Sequence, residues 1–267
     1  MIDKKCLAAG TAAAVLSAVI VAVFFVLCVI TDSGEETGSH ETASGWEYYS
    51  QTEDGRTDAS PVEETAGTSE KEAQARKAEI EGLEGSELWA GFDGAVLTGD
   101  SRVVGFSIYT GIPSGSIFAQ NGATIMALPG FIDGIAALDP ERVYVAYGIN
   151  DIKSGVGGGT AAAYALYAQE RIRELEDALD GAEIYVNSIL PASASLQARD
   201  PDYRKVYDYN TQLKEMCTRC GWHYIDNSEL AEEHEDLYVS DGIHLTMGFY
   251  EYWARNMLIQ SPGSSVR

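Results

Sequence analysis

Basic residues are scarce in this sequence relative to acidic ones. The 267 residues include 18 Lys and Arg against 41 Asp and Glu, which gives a formal net charge of -23. Proteins that bind nucleic acid need clustered cations to neutralise phosphates, so this balance argues against DNA or RNA as a partner. It also argues against docking of the protein surface on anionic lipid. The length suits one ordinary domain with additional segments.

Cysteine is also scarce, with 4 in the chain. Cys6 and Cys28 flank an apolar stretch and are too far apart to pair within one helix. Cys217 and Cys220 form a C-x-x-C just before His223, which is compatible with core packing, a local disulfide, or metal or redox chemistry. Core packing is favoured, because apolar residues recur around the pair at helical spacing and no second C-x-x-C completes a four-ligand zinc site.

One long apolar run lies near the N-terminus, and Leu7 to Ile30 contains no charged side chain. About 20 residues cross the hydrocarbon core of a bilayer. Lys4 and Lys5 precede the run and acidic residues follow it, so residues 1–31 are predicted to be a cytoplasmic tip and a single-pass anchor in the cell membrane. A cleaved signal peptide is the alternative, but its apolar region would normally span only about 7–15 residues.

Composition divides the rest of the chain into two parts. Up to about Glu70 the sequence is rich in Ser, Thr, Gly and Glu, which cannot bury enough apolar surface to order the chain. Strong helix formers then extend from Glu70 to Leu83. Residues 32–88 are therefore predicted to be an acidic disordered tether that ends in a helix, and residues 89–267 an extracellular globular domain.

The globular part alternates short apolar runs with helical patterns. The predicted strands are Ala95–Thr98, Arg142–Tyr147, Glu183–Ile189 and His223–Asp226, and the predicted helices are Ala161–Leu179, Tyr203–Cys217 and Thr246–Leu258. This alternation is typical of an α/β fold with a mostly parallel central sheet and helices on both faces.

Three short blocks carry the candidate chemistry. Gly99-Asp100-Ser101 follows the first predicted strand, Gly148-Ile149-Asn150-Asp151 follows the second, and Asp241-Gly242-Ile243-His244 precedes the last helix. Ligands of open α/β sheets bind outside the carboxyl ends of the strands. We therefore expect Ser101 and Asn150 to meet at one edge of the sheet.

The blocks supply the groups for acyl transfer through a serine ester. A serine hydroxyl needs a base within hydrogen-bond reach, and the base needs a third group that holds its tautomer. Among the 4 histidines, His244 is the best candidate base, because Asp241 lies three residues ahead and can fold back onto its ring.

Ester cleavage also needs donors for the oxygen that becomes negatively charged. The backbone N–H of Ser101 and the side-chain amide of Asn150 are two candidates. A loop glycine would be a third, because a missing Cβ lets substrate approach closely. Gly122 is favoured for this role, with Gly115 as the alternative.

These blocks resemble those of the SGNH hydrolase superfamily, also called GDSL esterases and lipases, over roughly Phe92 to Ile259. The resemblance implies a flavodoxin-like three-layer α/β/α fold and no cofactor. It implies that the catalytic triad is Ser101, His244 and Asp241, and that the oxyanion hole consists of Ser101, Gly122 and Asn150.

Arg102 departs from the family pattern, since lipolytic members often carry leucine at this position. A cation beside the nucleophile is compatible with a polar or anionic substrate. It is equally compatible with capping of the local helix or pairing with an acid.

The expected function is hydrolysis of carboxylic esters by a membrane-anchored extracellular serine esterase. Its substrate would be a small-molecule or glycan ester, with O-acetyl groups of cell-wall or extracellular glycans favoured. The alternatives are a glycan O-acetyltransferase with the same triad and a catalytically silent, surface-tethered glycan-binding module. The membrane is expected as a partner through the N-terminal helix, nucleic acid is not, and the oligomeric state is left open.

Overall fold

A parallel five-stranded sheet lies at the centre of the fold in the computed structural model, which describes residues 62–261, with side chains from residue 70. The strand order is β2-β1-β3-β4-β5, and all four neighbouring pairs are parallel. The strands are β1 (Ala95–Gly99), β2 (Ile117–Ala119), β3 (Arg142–Ala146), β4 (Glu183–Asn187) and β5 (His223–Ile225). The predicted parallel α/β sheet is thereby confirmed.

Helices connect the strands and cover the sheet. They are α1 (Val62–Glu81), α2 (Ser86–Ala90), α3 (Ser101–Tyr109), α4 (Ile132–Ala136), α5 (Ile149–Ser154), α6 (Ala161–Asp177), α7 (Ala194–Arg199), α8 (Val206–Cys220), α9 (Ser228–Glu233) and α10 (Met247–Ile259). Short 3-10 segments occupy Ser114–Ser116, Ile125–Gly130, Val156–Gly159, Pro201–Lys205 and Glu235–Leu237.

The core lies in two layers, one on each face of the sheet. Successive strand residues point to opposite faces, so Val143 and Val145 enter one cluster and Tyr144 enters the other. Helices α4, α5, α6 and α8 contribute to the first cluster, and α1, α2, α3, α9 and α10 contribute to the second. The arrangement is the three-layer α/β/α architecture that the family resemblance implied.

Most predicted elements differ from the observed ones by one or two residues at an end, and three differences are larger. Strand β2, a half-buried edge strand of three residues, was not predicted, although the equally short edge strand β5 was. Helix α1 begins at Val62 instead of Glu70. The 3-10 segment Pro201–Lys205 precedes α8, which then continues to Cys220.

Helix α1 packs against the end of the last helix. Ile80 is 0% exposed within the second cluster. The guanidinium of Arg76 donates to the carbonyl of Leu258 at 3.0 Å, and that of Arg255 donates to the carbonyl of Leu83 at 2.7 Å. Helix α1 is therefore bound to the same core as the sheet.

The predicted anchor at residues 1–31 and the predicted tether up to residue 61 lie outside the described residues. Within residues 62–261, no helix is long and apolar enough to cross a membrane.

The C-x-x-C lies in the last turns of α8. Cys217 is 1% exposed in the first core cluster, and Cys220 packs against that cluster. Both are free thiols, and burial raises the pKa of Cys217 to about 12. Both side chains therefore lie on the apolar face of the amphipathic helix α8, against the protein core.

Candidate active site

The turn after β1 places Ser101 at the start of a helix. Asp100 is the N-cap of α3, and its carboxylate accepts a hydrogen bond from the N–H of Arg102 at 2.9 Å. Burial raises the pKa of Asp100, while the charge and the N–H of Arg102 act in the opposite direction. Asp100 therefore fixes the turn, and it leaves the next side chain, Ser101, at the carboxyl edge of the sheet.

Three side chains form one hydrogen-bonded chain at this edge. The Oγ of Ser101 lies 2.9 Å from Nε2 of His244, although the two residues are 143 positions apart. The Nδ1 of the same ring lies 2.7 Å from Oδ2 of Asp241. A carboxylate on one ring nitrogen leaves the other nitrogen available to accept the serine proton.

The carboxylate of Asp241 is held by its own loop. Its Oδ1 accepts hydrogen bonds from the N–H groups of Ile243 at 2.7 Å and His244 at 2.9 Å. Partial burial acts to raise the pKa of Asp241, but the hydrogen bonds from the His244 ring and these two N–H groups lower it below its usual range. Asp241 is consequently ionised at neutral pH.

Gly242 lets this loop turn tightly against the segment after β4. Its φ is 76°, a left-handed conformation that side chains rarely adopt, and an added Cβ would lie 2.4 Å from Oγ of Ser193. The N–H of Ser193 also donates to the carbonyl of Gly242 at 2.8 Å. Glycine at this position allows the loop to hold Asp241 and His244 together.

Asn150 binds the residue that follows Gly122, at the same edge of the sheet. Asn150 lies in the first turn of α5, and its Nδ2 donates to the carbonyl of Ala123 at 2.9 Å. An added Cβ on Gly122 would meet no atom within 4 Å, so the space beside it is open. Gly115 precedes β2 and so lies at the amino edge, on the opposite side of the sheet from Ser101.

Asp151 holds the segment after β2 through a second hydrogen bond. It is 0% exposed, and its Oδ1 accepts a hydrogen bond from the N–H of Ile125 at 2.9 Å. Burial raises the pKa of Asp151 to about 7, against the effect of this hydrogen bond. The two side chains Asn150 and Asp151 therefore both bind the segment that follows β2.

The guanidinium of Arg102 is turned inward, and among the described residues it forms no ion pair with a carboxylate within 4.0 Å. The residue is 3% exposed, and its guanidinium donates to the backbone carbonyls of Leu190, Pro191 and Ile243. These acceptors are 88 to 141 positions away in the sequence, so no local pattern could have predicted the contacts.

The candidate site is open to solvent. The side chains of His244 and Asp241 are 47% and 46% exposed. A separate groove of about 850 Å³ lies between α1, α9 and α10, and none of the predicted site residues lines it. The hydrogen-bonded chain of Ser101, His244 and Asp241 therefore lies at the surface and outside this groove.

The other described histidines lie elsewhere. His223 stacks on Tyr185 with ring centroids 4.5 Å apart, and His234 stacks on Tyr252 at 3.9 Å. Among the described side chains, no group of three His, Cys, Asp or Glu residues is arranged to hold a metal ion.

The part of the chain that carries the candidate site matches a protein-family model. Residues 91–251, more than half of the chain, match the model of the GDSL-like lipase/acylhydrolase family. No curated protein sequence is significantly similar to this chain.

Several solved structures are similar in fold. A putative acylhydrolase from Bacteroides fragilis superposes with a TM-score of 0.50 at 18% identity, over 65% of this chain and 88% of the other. A lipase/acylhydrolase from Enterococcus faecalis gives 0.50 at 14% identity, over 63% and 96%. An acetylxylan esterase from Geobacillus stearothermophilus gives 0.49 at 16% identity, over 64% and 94%.

Proposed function

This chain belongs to the GDSL-like lipase/acylhydrolase family, and from that premise we propose that it removes short acyl groups, chiefly O-acetyl, from glycans outside the cell. At the level of reaction class, the chain is an ester-cleaving serine hydrolase. The observation that carries the proposed mechanism is the hydrogen-bonded chain from Ser101 through His244 to Asp241, with distances of 2.9 Å and 2.7 Å.

Ser101 is the proposed nucleophile. Its Oγ attacks the ester carbonyl carbon while Nε2 of His244 accepts the hydroxyl proton. Ionised Asp241 stabilises the imidazolium that forms. His244 then gives the proton to the departing alcohol, and the same ring activates the water that releases the acid from the acyl-enzyme.

Three N–H donors are proposed to stabilise the negatively charged oxygen of the tetrahedral intermediate. The N–H groups of a helix's first turn have no partner within the helix, which suits the backbone of Ser101 at the start of α3. One amide hydrogen of Asn150 is bound by Ala123, and the second is available for substrate. The N–H of Gly122 is the third proposed donor.

Exposure of the site favours water as the acyl acceptor. With nearly half of the His244 side chain exposed, water can reach the acyl-enzyme without a conformational change. A transferase must keep water away from that intermediate. Hydrolysis is therefore preferred to transfer onto a sugar hydroxyl.

An open site also favours a small acyl group on a large alcohol. A long acyl chain gains affinity by burial in an apolar slot, whereas a polymer needs an edge that it can approach. Together with the exposed site, the proposed anchor at residues 1–31 favours a glycan at the cell surface. The anchor would be supported if the full chain sediments with membranes and resists extraction by high salt or carbonate.

The test uses the full chain, a p-nitrophenyl ester series and an O-acetylated polysaccharide. We expect kcat/KM to be highest for the acetate and to fall as the acyl chain lengthens. Acetate should also be released from the polysaccharide. Ser101→Ala should lower kcat below about one thousandth of wild type, with an unchanged melting temperature as the control for folding.

Different results would redirect the proposal. Preference for long acyl chains with no acetate release would contradict the glycan O-acetyl substrate. Transfer of acetyl to an added sugar acceptor, in excess over acetate release, would identify a transferase. Equal turnover by wild type and Ser101→Ala would contradict the assigned nucleophile.

A further inference from the structure

We propose that Arg102 is a positioning residue that holds the His244 loop at hydrogen-bond distance from Ser101. The inference rests on the proposed function, because it concerns how the assigned base and nucleophile are kept together. Arg102 follows the nucleophile directly in α3, so any group that it binds is placed relative to Ser101.

The guanidinium binds two separate backbone segments. Its Nε donates to the carbonyl of Ile243 at 3.0 Å, within the loop that carries Asp241 and His244. Its Nη1 donates to the carbonyl of Leu190, and its Nη2 donates to that of Pro191 at 3.2 Å. The nucleophile helix, the base loop and the segment after β4 therefore converge on one side chain.

The arginine itself is fixed from the other side. The hydroxyl of Tyr250, in α10, donates to the backbone carbonyl of Arg102 at 3.0 Å. An arginine presents its donors in a rigid planar fork, so several acceptors bound at once determine its orientation. With 3% exposure, the side chain has little freedom to adopt another rotamer.

Burial also separates this role from substrate recognition. The guanidinium is directed at main-chain carbonyls and is almost fully covered. A residue that reads an anionic substrate must present donors to solvent before binding. Arg102 instead acts on Ser101 and His244 through the backbone, without contact with the reacting atoms.

Loss of the fork should affect catalysis more than binding. Arg102→Met keeps a long apolar stem but removes every donor, which frees the Ile243 carbonyl and the loop around it. Displacement of a catalytic group by about 1 Å can lower the rate roughly 10²-fold. We expect kcat for p-nitrophenyl acetate to fall about 100-fold, with KM changed less than about threefold.

Arg142 offers a matched control. It is 5% exposed and also donates to main-chain carbonyls, those of Gly91 at 3.2 Å and Asp93 at 3.0 Å. It starts β3 and lies at the amino edge of the sheet, away from Ser101. Arg142→Met should lower the melting temperature at least as much as Arg102→Met and leave kcat within about threefold of wild type.

Conservative variants keep the test valid if a methionine variant does not fold. Arg102→Lys retains the charge but can reach fewer of the three carbonyls. Its kcat should be about tenfold higher than that of Arg102→Met. Arg142→Lys should have the kcat of wild type.

A serine-directed reagent gives a readout that does not depend on the natural substrate. With diethyl p-nitrophenyl phosphate, Oγ of Ser101 forms a new bond to phosphorus and p-nitrophenolate leaves. The proton of the serine hydroxyl passes to His244. We expect the labelling rate at Ser101 to fall about 100-fold in Arg102→Met and to be nearly unchanged in Arg142→Met.

The outcomes separate the two proposals. In one outcome, Ser101→Ala shows no turnover and no labelling, while Arg102→Met keeps its kcat and its labelling rate within threefold of wild type. That result would overturn the positioning role and leave the proposed function standing. Equal losses in the Arg102 and Arg142 variants would also overturn it, because the effect would then be general destabilisation. Labelling of wild type that does not require Ser101 would overturn both.

Discussion

Asn150 carries two amide hydrogens, so one residue could both order the site and serve as the proposed oxyanion donor. One hydrogen is bound by the carbonyl of Ala123 at 2.9 Å, which fixes the orientation of the amide. The other is free to meet a substrate oxygen. A donor that is already oriented costs no reorganisation when charge develops.

Removal of this donor should slow the chemical step. Asn150→Ala should lower kcat for p-nitrophenyl acetate by about 10²–10³-fold, because one preorganised donor to the oxyanion is lost. Steady-state kinetics on the full chain, with melting temperatures as the control, checks this.

Asn150→Asp is the matched variant for this prediction. It keeps the size of the side chain but places a carboxylate where negative charge must form, so kcat should fall at least as far as in Asn150→Ala. If either variant keeps more than a third of wild-type kcat, Asn150 is not an oxyanion donor.

At the scale of elements, α5 and the 3-10 segment Ile125–Gly130 are joined by one carboxyl group. Asp151 binds the N–H of Ile125 with Oδ1, whereas its Oδ2 is buried and has no hydrogen-bond partner among the described residues. An ionised carboxylate is costly in such a place. The buried neighbour Asp100 adds to the effect of burial in raising the pKa of Asp151.

This raised pKa predicts how stability depends on pH. Because the pKa is about 7 in the fold and 3.8 in a model peptide, protonation is favoured on folding. Protonated Asp151 therefore contributes to the free energy of unfolding. This contribution is complete below about pH 4 and is lost as the pH rises to about 7. It amounts to on the order of 4 kcal/mol, at about 1.4 kcal/mol for each pH unit between the two pKa values.

Asp151→Asn should remove this dependence. The amide oxygen can still accept from Ile125, and the group no longer ionises. The free energy of unfolding of the variant minus that of wild type should therefore rise by several kcal/mol between pH 4.5 and pH 8, as measured by urea unfolding.

Asp202→Asn provides the control for that measurement. Hydrogen bonds from Lys205 and Lys153 lower the pKa of this exposed carboxyl group, so its loss cannot raise stability as the pH increases. A flat difference for Asp151→Asn across the same range would show that Asp151 is ionised at little cost in the fold.

Long elements were the most readily predicted from the sequence, whereas of the two three-residue strands β5 was predicted and β2 was not. Helix α6 was predicted to begin at Ala161 and does so, because 17 residues carry several periods of the helical pattern. Strand β2, with three residues, carries less than two periods of alternation. Its position beside β1 depends on pairing, and pairing leaves little trace in so short a segment.

At the scale of the whole described chain, α1 belongs to the packing of the sheet's second face. Ile80 is fully buried among residues of α2, α3 and α10. The hydrogen bonds from Arg76 and Arg255 lie at the C-terminal end of α10. At about 1.5 Å per residue, this end is on the order of 15 Å from the start of α10, which follows His244.

Ile80→Ala should therefore destabilise the fold without affecting turnover. Deleting a buried side chain of this size typically costs about 2–5 kcal/mol, measured by urea unfolding of the full chain. Well below the melting temperature, kcat/KM should stay within about twofold of wild type.

Ile108→Ala supplies the matched control, since this isoleucine is 64% exposed and should change stability by less than about 0.5 kcal/mol. Equal effects of the two substitutions would show that α1 does not contribute to the core.

By itself the sequence determined the fold class, the order of the three blocks, and Ser101, His244, Asp241 and Asn150 as candidates. Periodicity and turn chemistry are local, and a serine, an imidazole and a carboxylate each have few chemical roles. Only the tertiary structure decided which groups meet. The closeness of Gly122 to the edge that carries Ser101, and the carbonyls that Arg102 binds, depend on strand order and on loops more than 80 residues apart. Contacts of that range are set by packing, which no short stretch of sequence encodes.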